Sequence, residues 1–335
     1  MLTSGLDKML MNTIKWGIIG CGDVTEVKSG PAFNKVPNSS LVAVMRRDAV
    51  KAEDYATRHN VPKWYDDATA LINDPEVNAI YIATPPLQHE EYTLQSLAAG
   101  KPVYVEKPMA LNSDAAERMA GAAEKYGVKL CVAYYRREQP LFLKIKKLLE
   151  EKVIGDIRFV DLKMLQSKKA DVIAKSEHNW RLDPGIAGGG LFHDLAPHQL
   201  DLMLYFFGNP VKSHGVSLNQ ATAEGVDDLV TGHILFESGV IFNGTWCFTV
   251  AEGETKDSCE IYGSTGKISF PMFGHQIKII TDGQEEIIDF APLQHVEQPM
   301  IEKVVSYFLG QSANPCSGNE AVKTMNLLDR FTEKD

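Results

Sequence analysis

The sequence predicts an α/β protein with a doubly wound parallel sheet in its N-terminal half and an α+β domain, built on a largely antiparallel open sheet, in its C-terminal half. Two observations lead to this prediction. Buried strand-like runs alternate with helical segments over short links as far as residue 133, which is typical of a parallel sheet. From residue 134 onward one amphipathic helix is followed by runs in which apolar and polar residues alternate, which is typical of antiparallel strands facing solvent on one side.

Composition limits the classes of function. The 335 residues are enough for two domains with their own cores. A formal net charge of −10 argues against a nucleic-acid partner, because such proteins need basic patches. No apolar run is long enough to span a bilayer, and residues 1–12, predicted to be a loosely ordered leader, lack the apolar core of a signal peptide. The five cysteines are scattered, so neither a disulfide framework nor a metal site is expected, and we predict a cytoplasmic protein.

The N-terminal half contains five apolar runs that read as buried strands. The predicted strands are 14–19, 41–45, 79–83, 103–105 and 130–133. The predicted helices between them are 49–59, 67–73, 88–99 and 115–126. Gly127 follows the last of these helices, where a glycine ends a helix in the left-handed conformation. Strands and helices therefore alternate through this half.

A glycine turn follows the first strand. Gly20 and Gly22 supply the first two glycines of the G-x-G-x-x-G pattern, and Asp23 and Val24 follow them. The first glycine allows a tight turn, and the second lets backbone N–H groups approach a pyrophosphate at the start of the next helix. Thr25 occupies the third glycine position, so we expect a looser contact between helix and strand. By itself, this pattern is as consistent with a glycine turn that binds no ligand as with a Rossmann nucleotide site.

The second strand ends in Arg46-Arg47-Asp48, where nucleotide folds read the adenosine ribose. A carboxylate at this place accepts from the 2′-hydroxyl of NAD, whereas a guanidinium pairs with the 2′-phosphate of NADP. We therefore predict NADP(H) in preference to NAD(H). The alternative is that both arginines are solvated and that Asp48 caps the helix 49–59.

Two further strand ends carry candidate site residues. Thr84 and Pro85 begin a rigid turn suited to line a nicotinamide, and His89 lies just inside the next helix, as a cofactor contact or as a structural histidine. Glu106 and Lys107 end the strand 103–105 just before a proline, which biases Lys107 toward an extended backbone and gives its ammonium a defined direction. Open α/β sheets bind ligands at such strand ends, although an isolated lysine there is more often a surface residue.

In the C-terminal half the predicted strands are 157–165, 211–218, 228–236, 240–249, 258–261, 267–270, 276–281 and 285–290, and the predicted helices are 140–151, 191–207 and 318–331. The helix 191–207 carries Asp194 and His198 one turn apart after the run Gly188-Gly189-Gly190. A carboxylate beside an imidazole suits proton transfer, because the acid orients the ring and raises its basicity. The alternative is an ordinary surface pair, and Pro197 predicts a kink or a helix that begins near residue 196.

With Glu106-Lys107-Pro108 after a Rossmann half, and with Gly-Gly-Gly-x-x-x-Asp-x-x-x-His later, nearly the whole chain resembles the Gfo/Idh/MocA oxidoreductases. The resemblance implies a Rossmann domain over 13–133, with the helix 318–331 packed back on it, and a substrate-binding and oligomerisation domain over 134–317. It implies a homodimer or homotetramer formed through the C-terminal sheet. The pair Ala196-Pro197 departs from the family pattern. Arg46 and Arg47, at the end of the second strand, also depart from it.

The resemblance implies that Lys107, Asp194 and His198 form the catalytic set. We expect His198 to take the hydroxyl proton, Lys107 to hold the oxygen, and Asp194 to orient His198, although lysine performs the proton transfer in some members. The expected cofactor contacts are Gly20, Gly22, Asp23, Val24, Arg46, Arg47, Thr84, Pro85, His89, Glu106 and Lys107. The expected walls of the sugar pocket are Tyr135, Arg136, Trp180, Arg181 and Asp183, unless the first two simply join the domains.

The predicted function is NAD(P)-dependent hydride transfer to or from a sugar, polyol or related diol, with no metal. Two alternatives stay open. One is a glycosidase-like enzyme that oxidises, eliminates and re-reduces with a retained nicotinamide. The other is a non-catalytic sugar or nucleotide sensor of the same fold, which has no need of the complete set Lys107, Asp194 and His198.

Overall fold

The computed structural model describes residues 12–167, 180–221 and 225–333. Its first sheet has six parallel strands in the order β3-β2-β1-β4-β5-β6, which confirms the predicted doubly wound arrangement. The strands are β1 (Ile14–Ile19), β2 (Ser39–Met45), β3 (Lys63–Tyr65), β4 (Ala79–Ile82), β5 (Val103–Val105) and β6 (Leu130–Val132). The sequence analysis missed β3, because this edge strand has three residues and buries none of them fully.

The helices of this half cover the two faces of the sheet. They are α1 (Asp23–Val27), α2 (Ala49–Arg58), α3 (Ala68–Ile72), α4 (His89–Ala98) and α5 (Ser113–Tyr126). Their boundaries follow local chemistry: the side chain of Asp48 accepts a hydrogen bond from the backbone N–H of Lys51 and caps α2, and Gly127 ends α5 with a φ of 63°. The capping alternative for Asp48 is therefore correct, and its carboxylate is turned toward the helix.

The direction of strand order changes between β1 and β4, which is the place where open α/β sheets bind ligands. Gly20 follows β1 with a φ of +96°, and a β-carbon there would lie 2.8 Å from the backbone nitrogen of Thr84. The loops after β1 and β4 thus approach each other so closely that only glycine fits. This contact sets the floor of the cleft described below.

The second sheet has eight strands in the order β14-β13-β12-β11-β7-β10-β9-β8. They are β7 (Ile157–Leu165), β8 (Pro210–Leu218), β9 (Leu229–Phe236), β10 (Ile241–Cys247), β11 (Lys256–Gly263), β12 (Gly266–Phe270), β13 (Gln276–Thr281) and β14 (Gln284–Asp289). All neighbours pair antiparallel except β7 and β10, which are parallel. The predicted largely antiparallel sheet is confirmed, with β7 antiparallel on one side only.

The remaining helices are α6 (Pro140–Glu150), α7 (Pro184–Ala187), α8 (Gly190–Phe207), α9 (Gln298–Phe308) and α10 (Gly318–Thr332). The sequence analysis did not predict α9. It also expected a kink or a late start at Pro197, but α8 is helical on both sides of this residue. Most of α8 is buried, so packing on several sides stabilises the helix despite one missing backbone donor. In the described ranges, no helix is both long and apolar enough to cross a membrane.

One buried ion pair ties α8 to the start of the second half. The guanidinium of Arg137 donates to both carboxylate oxygens of Asp201, at 2.9 and 2.7 Å, and both side chains are almost fully buried. The same guanidinium also donates to Glu320 on α10 at 2.8 Å. Three separate elements are thus held at one point, and α8 keeps a fixed position over the sheet.

Candidate active site

A cavity of about 820 Å³ lies at the carboxyl ends of the parallel strands and is lined by both halves of the chain. Fifteen of the predicted site residues line it: Gly20, Gly22, Asp23, Val24, Arg46, Arg47, Thr84, Pro85, Glu106, Lys107, Tyr135, Trp180, Arg181, Asp194 and His198. The two sequence motifs, far apart along the chain, therefore meet in one place.

Lys107 crosses from the first half to the second. Its ammonium donates to the carboxylate Oδ1 of Asp194 at 2.8 Å and to the backbone carbonyl of the same residue at 2.9 Å. Burial alone would lower the pKa of Lys107, but the carboxylates of Asp194 and Glu106 outweigh burial and raise it above its ordinary value. Lys107 is consequently a cation throughout the physiological pH range.

Asp194 is held by two cations. Its Oδ2 accepts from the Nε of Arg181 at 3.0 Å, opposite the bond to Lys107. Burial would raise the pKa of Asp194, but the charges of Lys107 and Arg181 lower it to about 2. Among the described residues, no hydrogen bond joins Asp194 to His198. Helical spacing places Asp194 and His198 on one face, but Lys107 and Arg181 compete for the carboxylate.

His198 is 4% exposed, and its ring packs edge-to-face against Tyr135 with centroids 4.8 Å apart. Within the described part of the chain, its buried Nδ1 has no hydrogen-bond partner. Burial lowers the pKa of His198 well below its ordinary value, and the neighbouring cations Lys107 and Arg136 lower it further. The imidazole is therefore neutral and able to accept a proton.

The glycine turn leaves space for a ligand to approach the protein backbone. A β-carbon at Gly22 would meet only the carbonyl oxygen of Gly20, at 4.0 Å, so the turn is open to the cavity. The hydroxyl of Thr25, at the third glycine position, donates to the carbonyl of Gly22 at 2.8 Å and closes the turn. The hydroxyl of Tyr55 on α2 also donates to the Thr25 carbonyl at 2.8 Å, which anchors α1 from behind.

The far end of the cavity is basic. Arg46 and Arg47 line it, and Arg46 donates to the carbonyl of Cys21 at 3.3 Å. Lys51 and Arg58 line the same end, and neither was predicted. Both lie on α2, seven residues or about two turns apart, and this spacing on one helix face was the available signal.

Glu106 fixes the backbone beneath the ammonium of Lys107. Its Oε1 accepts from the hydroxyl of Tyr81 at 2.7 Å, and its Oε2 accepts from the backbone N–H of Lys107 at 3.1 Å. A second buried carboxyl, Glu297, lines the cavity beside it. Glu297 comes from the chain just before α9, and no local sequence signal marks it.

Three predicted site residues do not line the cavity. His89 is buried, with Nδ1 at 2.9 Å from the carbonyl oxygen of Pro108 and Nε2 at 2.8 Å from that of Thr84, so it links the two loops that bear site residues. Arg136 donates to the carbonyl of Met272 and stacks on the ring of Phe273. Asp183 is exposed, and its carboxylate caps α7. All three side chains therefore make contacts of their own instead of lining the cavity.

Three residues that line the cavity each carry a buried polar atom that no described residue satisfies: Thr84 Oγ1, Gln88 Oε1 and His198 Nδ1. Buried polar atoms are normally hydrogen-bonded, so their number here fits a polar ligand. The open glycine turn, the basic end and these atoms together fit a dinucleotide that carries phosphates at one end and an amide at the other. Ile186, Leu195 and Phe273, which were not predicted, supply apolar wall.

Comparison with known proteins agrees with this arrangement. The model of an oxidoreductase family with an NAD-binding Rossmann fold matches residues 14–134, and that of the GFO/IDH/MocA C-terminal domain matches residues 142–269. The chain is 47% identical to Oxidoreductase P35 of Formosa agariphila, over 95% of this chain and 98% of that protein. It is 28% identical to a 1,5-anhydro-D-fructose reductase of Ensifer adhaerens, over 76% of this chain and 74% of that protein.

Among solved structures, an aldose-aldose oxidoreductase from Caulobacter crescentus superimposes with a TM-score of 0.82. The alignment covers 95% of this chain and 96% of that one at 23% sequence identity. This likeness shows that the two chains share the fold over nearly their full lengths.

Proposed function

Because this chain belongs to the Gfo/Idh/MocA family of NAD-binding oxidoreductases, we propose that it transfers hydride between NADP(H) and a carbinol or carbonyl of a sugar, polyol or related diol. The observation that carries the proposal is the contact between Lys107 and Asp194, which places a permanent cation beside a neutral His198 in one cavity. An alcohol that is oxidised loses a proton and a hydride. A neutral base can accept the proton, and a nearby cation stabilises the negative charge that develops on the oxygen.

We assign the glycine turn at Gly20 and Gly22 to the pyrophosphate, and Arg46 and Arg47 to the 2′-phosphate. Thr84 and the turn after it are assigned to the nicotinamide end. When bound, the nicotinamide supplies the hydride acceptor or donor. Two guanidinium groups without a bound carboxylate at the ribose-reading position support NADP(H), because a phosphate dianion there needs positive charge.

In the oxidative direction, His198 takes the hydroxyl proton of the substrate. Lys107 donates a hydrogen bond to the same oxygen and stabilises the negative charge that develops on it. Asp194 keeps Lys107 charged and aimed, and Arg181 holds the second oxygen of Asp194, which prevents the carboxylate from turning to His198. In the reductive direction His198 returns the proton. Asp194 is thus proposed as the positioning residue of Lys107 instead of His198.

Cofactor binding and substrate binding are assigned to different halves of the chain, each built on one of the two sheets. We propose that residues 13–133 bind the cofactor and residues 134–317 bind the substrate, with α10 against α5 on one side and β8 on the other. The outer face of the second sheet carries exposed apolar side chains that include Phe159 and Ile241, which are paired in register across β7 and β10. We propose that a second copy of this chain covers this face.

The test of the function follows nicotinamide absorbance in both directions over a panel of aldoses, polyols, diols and keto-sugars, with NADP(H) and NAD(H) supplied separately. We expect turnover with at least one member of the panel and a higher kcat/KM with NADP(H). Cofactor that stays bound through purification with no net redox change would instead favour the glycosidase-like alternative. Cofactor binding without any turnover would favour the sensor.

We expect the replacement Arg47→Ala to raise the Kd of NADPH by about 10- to 100-fold, because a hydrogen bond to a charged group contributes roughly 1.5–3 kcal/mol. The Kd of NADH should stay nearly unchanged, since NADH has no 2′-phosphate. Fluorescence titration of both reduced cofactors measures the two values. Arg158→Ala, an exposed arginine on β7, is the matched control. Equal weakening of both cofactors by Arg47→Ala would contradict the assignment.

A further inference from the structure

Two carboxyls lie together on the floor of the cavity, one from each half of the chain. Glu106 immediately follows β5 and is 5% exposed, while Glu297 immediately precedes α9 and is 1% exposed. The side chain of Glu297 makes no capping hydrogen bond to α9, so helix formation does not explain its burial. Burial of a carboxyl without such a role is costly unless its charge is removed or paired.

The hydroxyl of Tyr81 lies between the two carboxyls. Its oxygen is 2.7 Å from Glu106 Oε1, 3.4 Å from Glu297 Oε2 and 3.1 Å from Ser29 Oγ. A phenol has one hydrogen, and the short contact to Glu106 takes it. At 3.4 Å the hydroxyl is too far from Glu297 Oε2 for a strong hydrogen bond, so the phenol gives this buried carboxyl little compensation for carrying a charge.

The charged and titratable groups around the pair favour one remaining negative charge. The cation of Lys107 borders Glu106, Lys28 after α1 faces both carboxyls, and the rings of Tyr81 and Tyr104 close the pair from β4 and β5. Burial raises the pKa of both carboxyls, and the charge of Glu106 raises that of Glu297 further, to well above its ordinary value. Like charges this close do not both ionise, so the pair titrates as a unit.

We propose that Glu297 and Glu106 share one proton beneath the reacting end of the cavity, and that this shared proton is released in part when the oxidised cofactor binds. The reason is electrostatic. Oxidised nicotinamide carries a positive charge that favours the doubly ionised pair, whereas reduced nicotinamide is neutral and does not. Glu297 is therefore a positioning and charge-setting residue that acts through Glu106 on the backbone of Lys107. The cofactor part of this inference rests on the proposed function.

The sign of the linkage follows from proton release. If binding of NADP⁺ releases a proton, the Kd of NADP⁺ falls relative to the Kd of NADPH as the pH rises through the titration of the pair. Dividing the Kd of NADP⁺ by the Kd of NADPH cancels the effect of the 2′-phosphate titration, because both cofactor forms carry this phosphate. We expect this ratio to fall by up to about tenfold per pH unit in the wild type between pH 6 and 9.

The first experiment uses the full chain without cofactor. Infrared spectra are recorded at pH 8 in H₂O and in D₂O, and one is subtracted from the other. The difference detects the C=O stretch of a protonated carboxylic acid, and at this pH ordinary carboxyls are ionised and do not contribute. We expect such a band in the wild type and in Glu302→Gln, an exposed control on α9, and its loss in Glu297→Gln. Absence of the band from the wild type would overturn the shared proton, whether or not the variant folds.

The second experiment measures the Kd of NADP⁺ and NADPH across the same pH range for the wild type and Glu297→Gln. Glutamine keeps the shape and a donor toward Tyr81, so we expect normal folding and a ratio that no longer depends on pH. An unchanged slope in Glu297→Gln would overturn the linkage. A band in the apo-protein together with no binding of either cofactor would overturn the proposed function and the linkage, and would leave the shared proton standing.

Discussion

Lys107→Met is expected to lower kcat/KM by roughly 10²- to 10³-fold, the size of effect seen when one donor to a developing oxyanion is removed. Methionine keeps most of the side-chain length and apolar stem but has no charge and no donor. The substrate oxygen then loses the cation that stabilises its developing negative charge. The loss should appear in kcat as well as in kcat/KM, because the interaction strengthens in the transition state.

The measurement is steady-state nicotinamide absorbance with the best substrate of the panel. Lys125→Met, on the exposed face of α5, is the control for loss of a lysine and should keep full activity. Cofactor affinity, measured by fluorescence, separates a catalytic effect from a binding effect. A decrease smaller than tenfold, with normal folding, would contradict the role given to Lys107.

Arg137→Met is expected to lower the free energy of unfolding by about 3–5 kcal/mol, because it leaves the carboxylate of Asp201 buried without its partner. Both members of this pair are almost fully buried, and the guanidinium also joins α8 to α10. Denaturant unfolding with linear extrapolation gives the free energy.

Two further variants identify the cause. Arg137→Met combined with Asp201→Leu removes both charges, so most of the lost stability should return. Glu320→Gln removes only the half-exposed partner and keeps its cap on α10, so its effect should stay below about 1 kcal/mol. If the double variant were as unstable as Arg137→Met alone, lost packing would be the cause, and the buried charge would not.

Most of the fold was predictable from the sequence because its elements carry strong local patterns. The strand β7 alternates apolar and polar residues from Val160 to Met164, and the prediction 157–165 coincides with the strand. The strand β3 was missed because three partly exposed residues make no such pattern. The parallel pairing of β7 with β10 could not be predicted either, because the composition of a strand does not show whether its neighbour runs parallel or antiparallel to it.

The candidate site was predictable where its residues sit next to each other along the chain. Lys107 and Asp194 were found through their own motifs, but the partners of Asp194 were not, since helical spacing cannot show that Lys107 and Arg181 approach from other elements. Glu297 had no signal because its environment comes from β4, β5 and α1. The predicted residues His89, Arg136 and Asp183 are turned away from the cavity by buried or capping contacts of their own.

The parallel pairing of β7 with β10 has a consequence for the order in which the chain folds. Antiparallel neighbours joined by short turns, such as β13 and β14, can form soon after collapse, whereas β7 and β10 must first close the long stretch from 166 to 240. The helix α8 lies inside that stretch. Loop closure therefore brings α8 over the sheet in the same event that joins the two central strands, and Asp194 reaches Lys107 only after it. We therefore expect the contact between Lys107 and Asp194 to form late in folding, after β7 and β10 have paired.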